Sequence, residues 1–134
     1  MALQSVLVHV DDVTPENMKK GEGWAISEFR LPITGRHGSS TTLFHSIFRP
    51  GSTHAKHLHA KCDEIAVYLK GHGVVGQSSE RTEVRAGHCR LMPKGSEHFF
   101  SNEWPNFSIG RPHADSWMQL FYTGLRHTTS KILI

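Results

Sequence analysis

The sequence predicts an all-β protein, a sandwich or barrel of short strands. Two observations carry that reading. Short apolar and β-branched runs such as TTLFHSIF (41–48) and EIAVYLK (64–70) are cut off by glycine and proline turns. No stretch sustains the 3.6-residue apolar period of a long helix.

The elements follow in order. LQSVLVHV (3–10) alternates and reads as an opening strand. Thr14-Pro15-Glu16 is a helix-start signal, a cap followed by proline in the first turn, and Gly21 ends a helix of about one and a half turns. GWAISEFRLPITG reads as a strand ending at Pro32 or Gly35, and RHGSS as the loop after it. TTLFHSIF is a strand stopped by Pro50-Gly51, and Ile65 to Leu69 a strand closed by Gly71. GVVGQ and RTEV pair as a hairpin across Ser78-Ser79-Glu80, and Arg85-Ala86-Gly87 makes the next turn. CRLM and EHFFS flank the turn Pro93-Lys94-Gly95. Residues 102–105 and 110–115 read as loops, and SWMQLFY as the last strand.

At 134 residues and 15.1 kDa the chain is expected to form one domain over 1–134, large enough to bury a core without staples. A hydrophobic share of 37% with 20% charged residues fits a soluble globular protein, and no run approaches the ~18 apolar residues of a membrane span. The start lacks a basic region, and Gln4, Ser5 and His9 interrupt its apolar stretch, so no signal peptide is expected. A net charge of +3 with scattered basic residues argues against nucleic acid. Cys62 and Cys89 are too few for a disulfide scaffold and read as free thiols in a reducing, cytoplasmic compartment.

The chemistry concentrates between Gly51 and Gly71. His57 and His59 are two apart, so on a strand they share a face with Cα atoms roughly 6.5 Å apart, and both imidazoles reach one ion at ~2.0–2.1 Å. With 11 histidines in the chain, that pair alone carries no weight. Its company does. Gly51, His57, His59, Glu64 and Gly71 fill G-x5-H-x-H-x4-E-x6-G, and Gly87, Pro93, Gly95, His98 and Asn102 fill G-x5-P-x-G-x2-H-x3-N. Filled in order, these positions resemble the two-part signature of the cupin superfamily, over about residues 41–122.

That resemblance implies an antiparallel β-barrel of the double-stranded β-helix or jelly-roll type. It also implies one divalent transition metal held by His57, His59, Glu64 and His98. Imidazole suits Fe, Zn or Ni, and the carboxylate adds Mn. Four ligands on an octahedral ion leave two positions open, unlike closed, cysteine-rich structural zinc. The short helix and tryptophan-bearing strand before the barrel are similar in layout to polyketide-cyclase cupins.

The function the resemblance implies is a metal-dependent enzyme on a small oxygenated molecule. The chemistry is carbonyl/enol (isomerase, cyclase or lyase) or dioxygen insertion. The alternative is a non-catalytic ligand-binding cupin module. A homodimer is expected by the same resemblance, and the apolar tail Ile132-Leu133-Ile134 reads either as part of its interface or as a frayed end. Around the metal, Tyr68 shares strand parity with Glu64, and Phe100 with His98, so both either line the pocket or, as aromatics in a barrel usually do, fill plain core. His45, which interrupts an apolar strand, either points into the barrel or plays a structural role between the sheet and a partner subunit. Of Gln119 and Tyr122 on the last strand, at most one faces the metal. His54, three before His57, falls on the opposite face of a continuous strand.

Overall fold

A computed structural model describes residues 4–18, 24–77, 79–103 and 118–125. Among these residues ten strands form two antiparallel five-stranded sheets. Sheet A takes β1 (Trp24–Ala25), β4 (Thr53–His57), β9 (His98–Ser101), β6 (His72–Gln77) and β7 (Glu80–Arg85), in that order. Sheet B takes β2 (Glu28–Ile33), β3 (Thr41–Phe48), β10 (Met118–Leu125), β5 (Glu64–Lys70) and β8 (Cys89–Met92). From β3 onward the chain crosses between sheets at each step except the β6–β7 hairpin, the path of a jelly-roll barrel. Among the described residues no helix is long and apolar enough to cross a membrane.

Alternation decides what fills the space between the sheets. Phe44 and Phe48 on β3, Ala66 and Tyr68 on β5, Val75 on β6, Met92 on β8 and Phe100 on β9 form one buried cluster. Phe48 meets Phe100 edge-on with ring centroids 4.5 Å apart, and Phe100 stacks on Tyr68. The crossings turn on backbone that ordinary residues resist. Gly71 has φ 85° where β5 leaves sheet B for β6, and Gly95 has φ 78° between β8 and β9.

Three expectations fail near the N-terminus. Residues 4–9 form no strand, and Val10–Asp12 make a single 3-10 turn. The apolar alternation there faces water: Leu7 is 97% exposed. Residues 14–18 are not helical either. The Glu16 N–H bonds to the Phe29 carbonyl at 2.7 Å, so this segment runs along β2. The expected single strand from 23 to 35 is two strands in different sheets. Ser27 marks the crossing: its hydroxyl lies 2.5 Å from that of Ser52 and accepts the Arg49 N–H. Pro32 stays inside β2, where the register with β3 shifts between Arg30 and Ile33. The later strands fall where the turns predicted them. The tail 132–134 and the loop 110–115 lie outside the described residues.

Candidate metal centre

Three strand ends meet at one rim of the barrel. His57 closes β4, and His98 opens β9 directly opposite it in sheet A. Glu64 opens β5 in sheet B, and His59 stands in the connection between β4 and β5. The expected shared strand face of His57 and His59 does not arise, because β4 ends at His57. The turn brings His59 in instead, with its ring centroid 5.1 Å from that of His57.

One ligand atom from each of His57, His59, Glu64 and His98 lies within 4.8 Å of the others. Donors on opposite sides of a single ion, each ~2.0–2.2 Å away, stand about 4.0–4.4 Å apart, so this set is compact enough for one cation to serve all four. The ring orientations are fixed from behind. His57 Nδ1 lies 2.7 Å from the Ala55 carbonyl, and His98 Nδ1 2.9 Å from that of Ser96. A carbonyl only accepts, so each Nδ1 carries the hydrogen and each Nε2 presents a lone pair inward. Among the described residues both Nε2 atoms are buried without a hydrogen-bond partner, which is costly unless something else occupies them. Glu64 Oε2 lies 2.7 Å from His59 Nε2 and 3.9 Å from His98 Nε2. Burial is the main cause that lowers the pKa of His57 to about 4, and it lowers that of His98 as well. Both imidazoles are therefore neutral near pH 7, the form that ligates a metal. This donor set fits a transition-metal site.

The two loops that carry the cluster are tied together. The Gly95 N–H donates to the His59 carbonyl at 2.7 Å, and the Lys94 N–H to Asp63 Oδ1 at 2.8 Å. Asn102 closes the neighbouring turn, its side-chain amide donating to the Phe48 carbonyl.

The remaining candidates sort by strand parity. Tyr68 and Phe100 lie inside the barrel beneath the cluster, as packed core. Burial pushes the Tyr68 hydroxyl up to about 12, against an opposing hydrogen bond from Arg90. Arg90 reaches across to sheet A, donating to the Phe99 and Gly76 carbonyls. His45 does not join the pocket. Phe44 and Phe48 take the interior face of β3, so His45 points the other way, buried in the field of Arg30, Asp11 and Glu28. Gln119 pairs through its backbone with Ile47 and Lys70, and its side chain lies outside the described residues.

Sequence parity missed His54. The register between β4 and β9 shifts between His54 and His57, and the irregularity cancels the alternation. His54 is buried and stacks on His57 with centroids 4.2 Å apart and planes at 28°. Trp24 packs against both, 4.8 Å from His54 and 5.3 Å from His57.

A double-sheet barrel with a three-histidine, one-carboxylate cluster at its rim offers the donor set of a metal site. Residues 44–105 match the family model described as Cupin domain. The match runs from β3 to β9, just under half of the chain, and marks this stretch as cupin-like. It is 32% identical over 75 residues to oxalate oxidase GF-2.8 of Triticum aestivum, a match covering half of this chain and 31% of the oxidase. The chain thus spans about a third of the length of the curated relatives it matches. In fold it is similar to a predicted oxalate decarboxylase from Thermotoga maritima, with TM-score 0.70 and 20% identity over 90% of this chain and 98% of that one. It is also similar to the polyketide cyclase RemF of Streptomyces resistomycificus, with TM-score 0.69 and 17% identity over 96% and 89%.

Proposed function

We propose that this protein is a divalent-metal-dependent enzyme acting on a small oxygenated organic molecule. His57, His59, Glu64 and His98 would hold the metal. The observation that carries the reading is the pair of buried, inward-facing Nε2 lone pairs beside a carboxylate. A bound divalent ion supplies Lewis-acid stabilisation of developing negative charge on a carbonyl, enol or carboxylate oxygen and, where redox-active, an electron path to dioxygen.

The chain's own residues do the rest. The Ala55 and Ser96 carbonyls hold His57 and His98 in the ligating tautomer. Three neutral imidazoles and one carboxylate leave a divalent site with a net charge near +1, suited to an anionic or enolisable ligand. The apolar floor of Phe48, Phe100 and Tyr68 limits water below the cluster, which strengthens every charge interaction there. The likeness to oxalate oxidases favours a reaction with dioxygen, and the fold likeness to a polyketide cyclase favours carbonyl/enol chemistry. We propose further that the whole chain forms one such domain.

The test is elemental analysis of protein purified without chelator, followed by oxygen uptake and ultraviolet assays on small carboxylates and enols. We expect about one transition metal per chain, lost together with activity in His57→Ala. Stoichiometric metal without turnover of any small carboxylate or enol would point to a binding module, and wild-type levels of both in His57→Ala would falsify the proposal.

A further inference from the structure

Two side chains inside the barrel remain unexplained. Thr42 and Ser46 on β3 are 2% and 0% exposed, and neither hydroxyl has a hydrogen-bond partner among the described residues. A buried hydroxyl left unpaired costs roughly 1–3 kcal/mol, so each asks for a group to meet it. Their positions in sheet B differ. Thr42 pairs with Gly124 of β10, and Gly124 pairs on its other side with Glu64 of β5. Residues directly opposite in an antiparallel ladder share a face, so Thr42 and Glu64 look into the barrel from one row. Two strand spacings separate their Cα atoms by roughly 9–10 Å. Between them stands a residue with no side chain. Ser46 lies four residues further along β3, in the row of Tyr68 and away from the cluster.

We infer that Thr42 is a substrate-contacting residue, its hydroxyl meeting the distal oxygen of a small oxygenated ligand that starts at the Glu64 end of the row and lies over Gly124. The inference rests on the metal reading above and adds the shape of what binds. The ligand carries oxygen at both ends, like a short dicarboxylate or a hydroxy acid, and passes over Gly124. Thr42 both donates and accepts, so it takes a carboxylate, a carbonyl or a hydroxyl. A side chain at position 124 would stand between the two ends of the row.

The experiment uses the full chain loaded with Co(II), read by calorimetry and by the visible cobalt spectrum, with acetate and succinate as probes. Acetate reaches only the ion, whereas succinate spans toward Thr42. We expect succinate to bind more tightly than acetate in the wild type. Thr42→Val should weaken succinate about tenfold, the size of one hydrogen bond, and leave acetate within twofold. Thr42→Ser should restore succinate binding, and Ser46→Ala should leave it unchanged. Equal succinate binding in wild type and Thr42→Val overturns the inference, as does an equal loss in Ser46→Ala. A wild-type protein that takes up no cobalt overturns the metal reading itself, whereas cobalt uptake with no preference for succinate overturns only the role of Thr42.

Discussion

Sheet A crowds its side of the cluster with rings, whereas sheet B sets its carboxylate beside bare backbone. His57 is wedged against His54, Trp24 and His98, with centroid separations from 4.2 to 5.3 Å. Glu64 has Gly124 as its ladder neighbour on one side and Met92 on the other. The first arrangement fixes orientation, because a flat ring packed on both faces loses its rotamer freedom when the barrel folds. The second places a residue without a side chain beside the carboxylate. A metal site that acts on a ligand needs a rigid wall to set the donor geometry and an open side where the ligand enters.

If sheet A is the rigid wall, its largest test is His54. His54→Ala removes the ring behind His57 while leaving all four proposed ligands in place. We expect metal affinity to fall about 10–100-fold, the usual cost of losing an outer partner of a ligand. His54→Phe keeps a ring of similar size, and most of the affinity should return. Competition with a chromophoric chelator measures both. If the phenylalanine variant binds as poorly as the alanine one, His54 acts through its nitrogens and the comparison of the two walls fails.

A smaller effect belongs to the latch between the loops. Asp63→Ala frees the Lys94 N–H that ties the β8–β9 turn to the β4–β5 connection. One neutral-to-charged hydrogen bond at an exposed site is worth about 1 kcal/mol, so metal affinity should drop by at most about tenfold. The melting temperature of the metal-free protein should change little. A large loss of stability with unchanged affinity would make the latch part of the fold and not of the site.

Local chemistry explains why parts of this were legible in the sequence. The strand 41–48, the 89–92 strand and the turns at Gly71 and Gly95 were readable because propensity and punctuation agree there and tertiary structure adds no conflict. The spacing of His57, His59, Glu64 and His98 was readable because it is set by strand ends and turns. His54 was not. Parity arguments assume an unbroken ladder, and a single irregularity between His54 and His57 reverses them. Thr42 was hidden for another reason: its relation to Glu64 exists only through Gly124, far along the chain, and register between distant strands leaves no local mark. The N-terminal alternation misled because amphipathic patterning makes a strand only where a sheet edge accepts it, and residues 4–9 find none.

The floor that both walls share gives the smallest effect, confined to alkaline solution. Tyr68 is 2% exposed, and burial, with Glu64 adding to it, outweighs Arg90 in pushing its hydroxyl up from 10 to about 12. In the unfolded chain the same hydroxyl ionises near 10. Between pH 10 and 12 the unfolded state therefore holds fewer protons on this group than the folded state, and stability falls as pH rises through that window. Below pH 10 the group is neutral in both states and contributes no pH dependence. At pH 11 the loss is about 1 kcal/mol, which Tyr68→Phe removes, so the two proteins should differ in the slope of denaturation midpoint against pH above 10 and nowhere else. Parallel slopes would mean that water reaches the Tyr68 hydroxyl, and the dry floor on which the strength of the cluster's charges depends would have to be given up.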